Sequence, residues 1–245
     1  KAPLFCPKKK KKLKGCPKKR KKKFGKLLVK MLAIKAKMPL WGMEIKMDAN
    51  LYAVTKQRMA RTAAALEKAN FTPYCVDTAQ QALALIETLV PAGAVVACGG
   101  SMSLEQAGVM QLLRSGKYRL MDRARKDITP EEIGALYRDV FSADCYFSSV
   151  NALTEDGALV NMDGNSNRVA ALAFGPKEVI LLVGANKIVD SLAAAERRIA
   201  EVAAPANAKR LSCKTPCAET GVCVHYHSPA CICCTMTVMR HSHTT

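Results

Sequence analysis

From residue 52 onward, apolar positions alternate between a helical and a strand period. Met59, Ala63 and Leu66 recur at i, i+4 and i+7, and Ala82, Leu85, Ile86 and Leu89 at i, i+3, i+4 and i+7, so each segment carries one apolar stripe. Such stripes predict helices packed on a sheet. Short apolar runs follow at 71–76, 94–98, 144–148 and 178–183, and the last, EVILLV, is nearly unbroken, the pattern of a strand buried on both faces. Thr129, Pro130, Glu131 and Glu132 open a further helix, with a capping threonine, a first-turn proline and two acids at the positive end of the dipole. Ile188, Leu192, Ala195 and Ile199 predict a last amphipathic helix. The alternation gives an α/β fold, a mostly parallel sheet sandwiched by helices.

Between two apolar segments, residues 148–168 read SSVNALTEDGALVNMDGNSNR. Ala158–Val160 has room for only a short strand, so the polar residues around it are expected at its ends, where α/β sheets place ligands. Turns explain Asp156–Gly157 and Asp163–Gly164 taken singly. The density of Asn161, Asp163, Asn167 and Arg168 together asks for more. Asp163, Asn161 and Lys187 are the catalytic candidates, with Asp163 a general base for a proton beside a carbonyl. Asn151, Thr154, Asn167 and Arg168 are ligand-binding candidates, Arg168 or Lys187 holding a carboxylate or phosphate. The run Cys98–Ser103, CGGSMS, leads from a strand into a helix, with Ser103 and Gln106 at capping-box spacing. There Gly99, Gly100 and Ser101 are candidates for holding an anion, although a plain turn has the same composition.

Charge changes the picture only at one end. Of 38 Lys and Arg, 17 fall in residues 1–40, which hold no Asp or Glu, leaving 21 against all 20 acids in the rest. Residues 1–46 are therefore expected to be a disordered Lys-rich extension. A nucleic-acid or anionic-membrane arm and a localisation run are open readings of it. The favoured one is an upstream stretch joined to the coding region, with Met43 and Met47 as starts, so no nucleic-acid partner is assigned. Leu27–Trp41 is apolar but broken by Lys30, Lys35 and Lys37, too charged to span a bilayer, with a basic interfacial helix open. Eleven cysteines include six between Cys213 and Cys234, while Cys75, Cys98 and Cys145 stand singly in strand-like runs. That distribution suits a reduced, cytoplasmic protein with a metal-type cluster better than a disulfide framework.

The 148–168 stretch, GGSMSLEQAG at 99–108, FGPKEVILLVGANKIV at 174–189, AAPANAKRL at 203–211 and KTPCAETGVC at 214–223 together resemble the LUD-domain family of lactate utilisation proteins. The resemblance runs from about Met47 to about His241. It implies the fold shared by ribose-phosphate isomerases, glucosamine-phosphate isomerases and CoA transferases, in a LUD-type domain over 47–212 followed by a Cys-rich segment over 213–245. It also implies a part in oxidising L-lactate to pyruvate within an Fe–S-containing complex, since no dinucleotide fingerprint is present to accept the electrons. Two alternatives stand beside it: an isomerase or transferase acting on a phosphorylated or CoA-linked small molecule, and a non-enzymatic metal-binding or redox-sensing module.

The family's Cys-rich signature is matched at Cys217, Cys223 and Cys233, whereas Tyr226 takes the place of a fourth cysteine. Cys231, Cys234, His225 or His227 is then the candidate fourth ligand for zinc or an Fe–S cluster. Ser166 stands where the family more often has glycine. The family also continues past this point with a closing strand, so the sequence is expected either to be a fragment or to leave a sheet edge unpaired.

Overall fold

The computed structural model describes residues 27–32, 48–225 and 227–243. In chain order its elements are β1 (Leu27–Leu32), α1 (Ala49–Lys68), β2 (Tyr74–Val76), α2 (Ala79–Leu89), β3 (Val95–Cys98), α3 (Met102–Gln106), α4 (Val109–Leu113) and β4 (Arg119–Met121). Then come α5 (Pro130–Asp139), β5 (Cys145–Ser148), β6 (Ala152–Thr154), β7 (Leu159–Asp163), α6 (Asn167–Ala173), β8 (Glu178–Gly184) and β9 (Ile188–Val189). The chain finishes with α7 (Leu192–Arg198), α8 (Ala204–Arg210), α9 (Pro216–Thr220) and β10 (Thr235–Met239). A π-helical turn, Ile199–Ala203, joins α7 to α8.

Six strands form one sheet in the order β2-β1-β8-β5-β3-β4, and every pairing in it is parallel. Alternate residues of β8 enter different cores, which is why its sequence is apolar without a break. Val179, Leu181 and Val183 pack with Met59 and Leu66 of α1 and Ala171 and Leu172 of α6. Ile180 and Leu182 pack with Ile86 of α2, Leu104 of α3 and Leu113 of α4. Helices therefore cover both faces, the expected α/β architecture.

Capping fixes where the helices start. The Thr78 hydroxyl accepts from Gln81 N while the Gln81 amide oxygen accepts from Thr78 N, and Thr129 with Glu132 does the same. The expected box at Ser103 and Gln106 is different: Ser101 caps α3, accepting from Leu104 N at 3.4 Å. Ile188, expected in the last helix, lies in β9, and the helix begins after the Ser191 cap.

A second sheet, β10-β7-β6-β9, is mixed, with β6 parallel to β9 and the other two pairings antiparallel. β7 runs through Asp163, so Asn161 and Asp163 are strand residues and not a loop at its end. β10 pairs along the whole of β7, from Thr235↔Asp163 to Met239↔Leu159. β1 lies inside the 1–46 stretch expected to be disordered and is a strand, not an interfacial helix. LLVKML has one lysine in six, so little repulsion opposes a strand there, and its pairing satisfies the second edge of β8. The rest of that extension lies outside the described residues.

Candidate functional site

Because the main sheet is parallel, the carboxyl ends of β3, β5 and β8 open on one edge, where Arg168 packs beside Gly99 after β3 and bonds the chain that follows β5. It leaves the first turn of α6, and its side chain is 13% exposed. Nη1 donates to Asn161 Oδ1 at 2.8 Å and Ser149 O at 3.3 Å; Nη2 donates to Met162 O at 2.7 Å and Asn151 Oδ1 at 3.1 Å. All four acceptors are neutral. Asp163 is the one carboxylate nearby, with Oδ1 at 4.0 Å from Arg168 Nε. Burial lowers the guanidinium's proton affinity, with Asp163 and then Tyr146 opposing it.

Asp163 itself is occupied with backbone. Oδ2 accepts from Arg168 N at 3.0 Å and Val169 N at 3.1 Å, and Oδ1 accepts from Gly164 N at 3.2 Å. It thus satisfies the free N–H groups at the start of α6, after Ser166, whose φ of 60° is left-handed. That backbone explains why a glycine suits position 166; here the Ser166 hydroxyl is tied to that of Thr235. Asp163→Ala is expected to cost about 1–2 kcal/mol, as loss of a helix cap does, and Asp163→Asn less, read from urea unfolding midpoints.

Lys187 sits just past β8. Its ammonium donates to Ser149 Oγ at 2.8 Å and Val150 O at 3.0 Å, leaving one of three N–H groups without a partner among the described residues. Burial, then Arg198 and Arg168, push it from 10.5 down to about 8. Arg198 reaches in from the end of α7 and donates to Asn151 O and Asn186 O. Among the described residues, neither Lys187 nor Arg198 pairs with a carboxylate. Lys187 thus has two guanidinium groups near it, Arg198 and Arg168, while Asp163 lies beside Arg168. Asn161 is fully buried, with Oδ1 on Arg168 and Nδ2 unsatisfied among the described residues.

Gly99 joins this group from β3. A Cβ there would lie 3.0 Å from Ser148 Oγ and Tyr146 OH and 3.1 Å from Arg168 Cδ, so a side chain would have to push these three groups back. Gly100 faces Arg123 and Arg210.

The structure therefore brings together Gly99, Gly100, Asn151, Asn161, Asp163, Arg168 and Lys187. Ser101 follows as the α3 cap, and Asn167 opens α6 beside Arg168. Thr154 lies elsewhere, at the far turn of the β6–β7 hairpin, where its hydroxyl meets Asp156 and accepts from Ala158 N at 2.8 Å. There Glu155 pairs with Arg58 of α1 at 2.6 Å. Tyr146, Arg123, Arg198 and Arg210 escaped sequence analysis. A tyrosine in an apolar strand reads as core, and Arg198 and Arg210 end helices, where cations ordinarily complement the dipole.

The cysteine-rich segment meets this edge at Asp163, whose carbonyl accepts from Cys234 N at 3.0 Å. Cys217, Cys223, Cys231 and Cys233 line one cavity of about 20 Å³ together with Ile232. Burial, then the neighbouring thiols, push the Cys233 thiol up to about 11. Cys234 and the two candidate histidines are not among that cavity's walls. The donor chemistry suits zinc, and a space of this size takes one ion. Among the described residues no three His, Cys, Asp or Glu side chains form a ready-made metal group, so an ion would have to draw the thiols together.

Among the described residues, no helix is long and apolar enough to cross a membrane. No curated protein matches the chain. The family model of the LUD domain matches residues 59–245, from within α1 past β10 and across every site residue described above, and the chain belongs to this LUD domain family, which is found in lactate utilisation proteins.

Proposed function

We propose that this protein takes part in lactate utilisation by holding a small 2-hydroxy or 2-oxo carboxylate, L-lactate or pyruvate, at Lys187. The observation that carries the reading is the cluster of Arg168, Lys187 and Arg198, each partly withdrawn from solvent, with Asp163 beside Arg168 the one carboxylate paired with it among the described residues. Cations in a low-dielectric site without counter-charge are costly, and an anionic ligand offsets that cost. Arg168 has spent its Nη donors on the protein, so it contributes charge, whereas the remaining N–H of Lys187 is free to hydrogen-bond a carboxylate oxygen. Lys187, partly deprotonated near pH 8, is also the group here suited to exchanging a proton with the 2-hydroxyl. With its oxygens committed to backbone, Asp163 is a positioning residue in this reading and not the base.

Oxidation of lactate to pyruvate releases two electrons and two protons, and the acceptor is assigned to Fe–S partner proteins in a cytoplasmic complex. A metal held by this chain would sit on Cys217, Cys223, Cys231 and Cys233, where zinc would act as a structural clip. Metal and acid-labile sulfide analysis of anaerobically purified protein is expected to give about one zinc per chain and no sulfide; stoichiometric iron with sulfide would move the redox centre into this chain. For the ligand, calorimetric titration of the full chain with pyruvate is expected to show binding that weakens at least about tenfold in Lys187→Met, as loss of a charge-assisted hydrogen bond implies. Binding of neither pyruvate nor L-lactate, or equal binding by the variant, would overturn the proposal.

A further inference from the structure

The main sheet changes direction between β3 and β5. After β3 the chain moves to β4 on one side, and after β5 it moves to β8 on the other. The helices that follow also part: α3 and α4 pack on one face, α6 on the opposite face. Connections that separate in this way leave a crevice at the carboxyl ends of the two strands, where open α/β sheets receive ligands.

The groups facing that crevice are unusual for an unused turn. A Cβ on Gly100 would fall 2.6 Å from Arg123 Nη2 and 3.9 Å from Arg210 Nη2, so two guanidinium groups converge on one glycine. Neutral groups steady each: Arg123 lies 6.0 Å from the Tyr137 ring centroid, and Arg210 donates to Asn207 Oδ1 at 2.7 Å. Neither pairs with a carboxylate among the described residues. From β5, Tyr146 sends its hydroxyl to within 3.0 Å of the Cβ position of Gly99. That residue is 3% exposed, and its hydroxyl has no hydrogen-bond partner among the described residues. The unpaired O–H of a buried tyrosine near Arg123, together with two guanidinium groups that meet no carboxylate among the described residues, is a set of donors lacking an acceptor.

We infer that Arg123, Arg210 and Tyr146, around the Gly99–Gly100 backbone, form a subsite for the phosphoryl group of an organic phosphate, separate from the carboxylate contact at Lys187. A tetrahedral dianion answers both guanidinium charges and accepts from the tyrosine at once, which a single carboxylate does less well. Burial raises the Tyr146 phenol, so it remains a donor at neutral pH.

The test is calorimetric titration of the full chain with inorganic phosphate at fixed ionic strength, beside Arg123→Met and Tyr146→Phe. Tyr146→Phe removes only an oxygen that bonds nothing in the fold, so its folding is expected to be unchanged. Phosphate affinity is expected to fall at least about tenfold in Arg123→Met and about fivefold in Tyr146→Phe, with pyruvate binding retained in both. Competition then identifies the source: displacement by glycerol 3-phosphate marks a small phosphate monoester, and displacement by ADP marks a nucleotide-type ligand. Phosphate binding that neither compound displaces would be an adventitious ion only and would overturn the inference, as would no binding or equal binding by the variants. Absence of pyruvate binding by the unmodified protein, with phosphate binding present there and weakened in the variants, would count against the Lys187 contact alone.

Discussion

Arg168→Met is expected to lower the stability of the protein by about 3 kcal/mol or more, the scale of breaking a buried charged network. Methionine fills the aliphatic space but takes a donor from four acceptors, the carbonyls of Ser149 and Met162 and the side-chain oxygens of Asn151 and Asn161, of which Asn151 Oδ1 keeps Met162 N at 2.9 Å and Ser149 O keeps Ser148 Oγ at 3.3 Å. Each buried group left unsatisfied costs about 1–3 kcal/mol, and relief from burying the charge offsets only part of the sum. Arg168→Lys should recover little, since one ammonium cannot fork across acceptors from both the β5–β6 connection and β7. Urea unfolding of both variants decides the matter: a loss under about 0.5 kcal/mol would mean that Arg168 is not the hub.

Lys187→Met should act in the opposite direction on stability while removing ligand binding. In the fold this lysine releases its proton at about 8, against 10.5 ordinarily. Between those values the unfolded chain holds more protons than the folded one, so stability rises with pH across that window and is lowest below it. At 1.36 kcal/mol per pKa unit the burden below pH 8 is about 3 kcal/mol. Removing the charge lifts that burden, and losing the bond to Val150 O gives back about 1 kcal/mol, so the variant is expected to be about 1–2 kcal/mol more stable at pH 7. The gain should vanish above pH 10.5. Equal pH profiles for the two proteins would show that Lys187 is not held in a depressed state.

Where local chemistry settles structure, sequence was enough. Thr129 marks a helix start because its cap is complete within four residues, and EVILLV could hardly be other than a strand buried on both faces. Ile188 continued an apolar stripe and so read as helix, but its pairing with Leu153 of β6 makes it strand, a tertiary fact. Asn161 and Asp163 read as loop because polar residues rarely fill strands; β7 tolerates them because Arg168 and the start of α6 supply partners. Thr154 was grouped with them by proximity along the chain, although a hairpin carries its two ends apart. Arg123, Arg210 and Tyr146 lie 23 or more positions apart and meet only because β3 and β5 are neighbours and their connections diverge. No local pattern could have joined them.

Proton uptake on binding pyruvate tests the central claim most directly, because it reports the charge of Lys187 in the presence of the anion. The full chain would be titrated with pyruvate at pH 8.5 in two buffers of different ionisation enthalpy. A carboxylate bound against Lys187 raises its proton affinity, so a net uptake of roughly half a proton is expected, absent in Lys187→Met. Pyruvate binding without proton uptake, or with the same uptake in the variant, would contradict the assignment of this edge of the sheet as a carboxylate site built on Lys187.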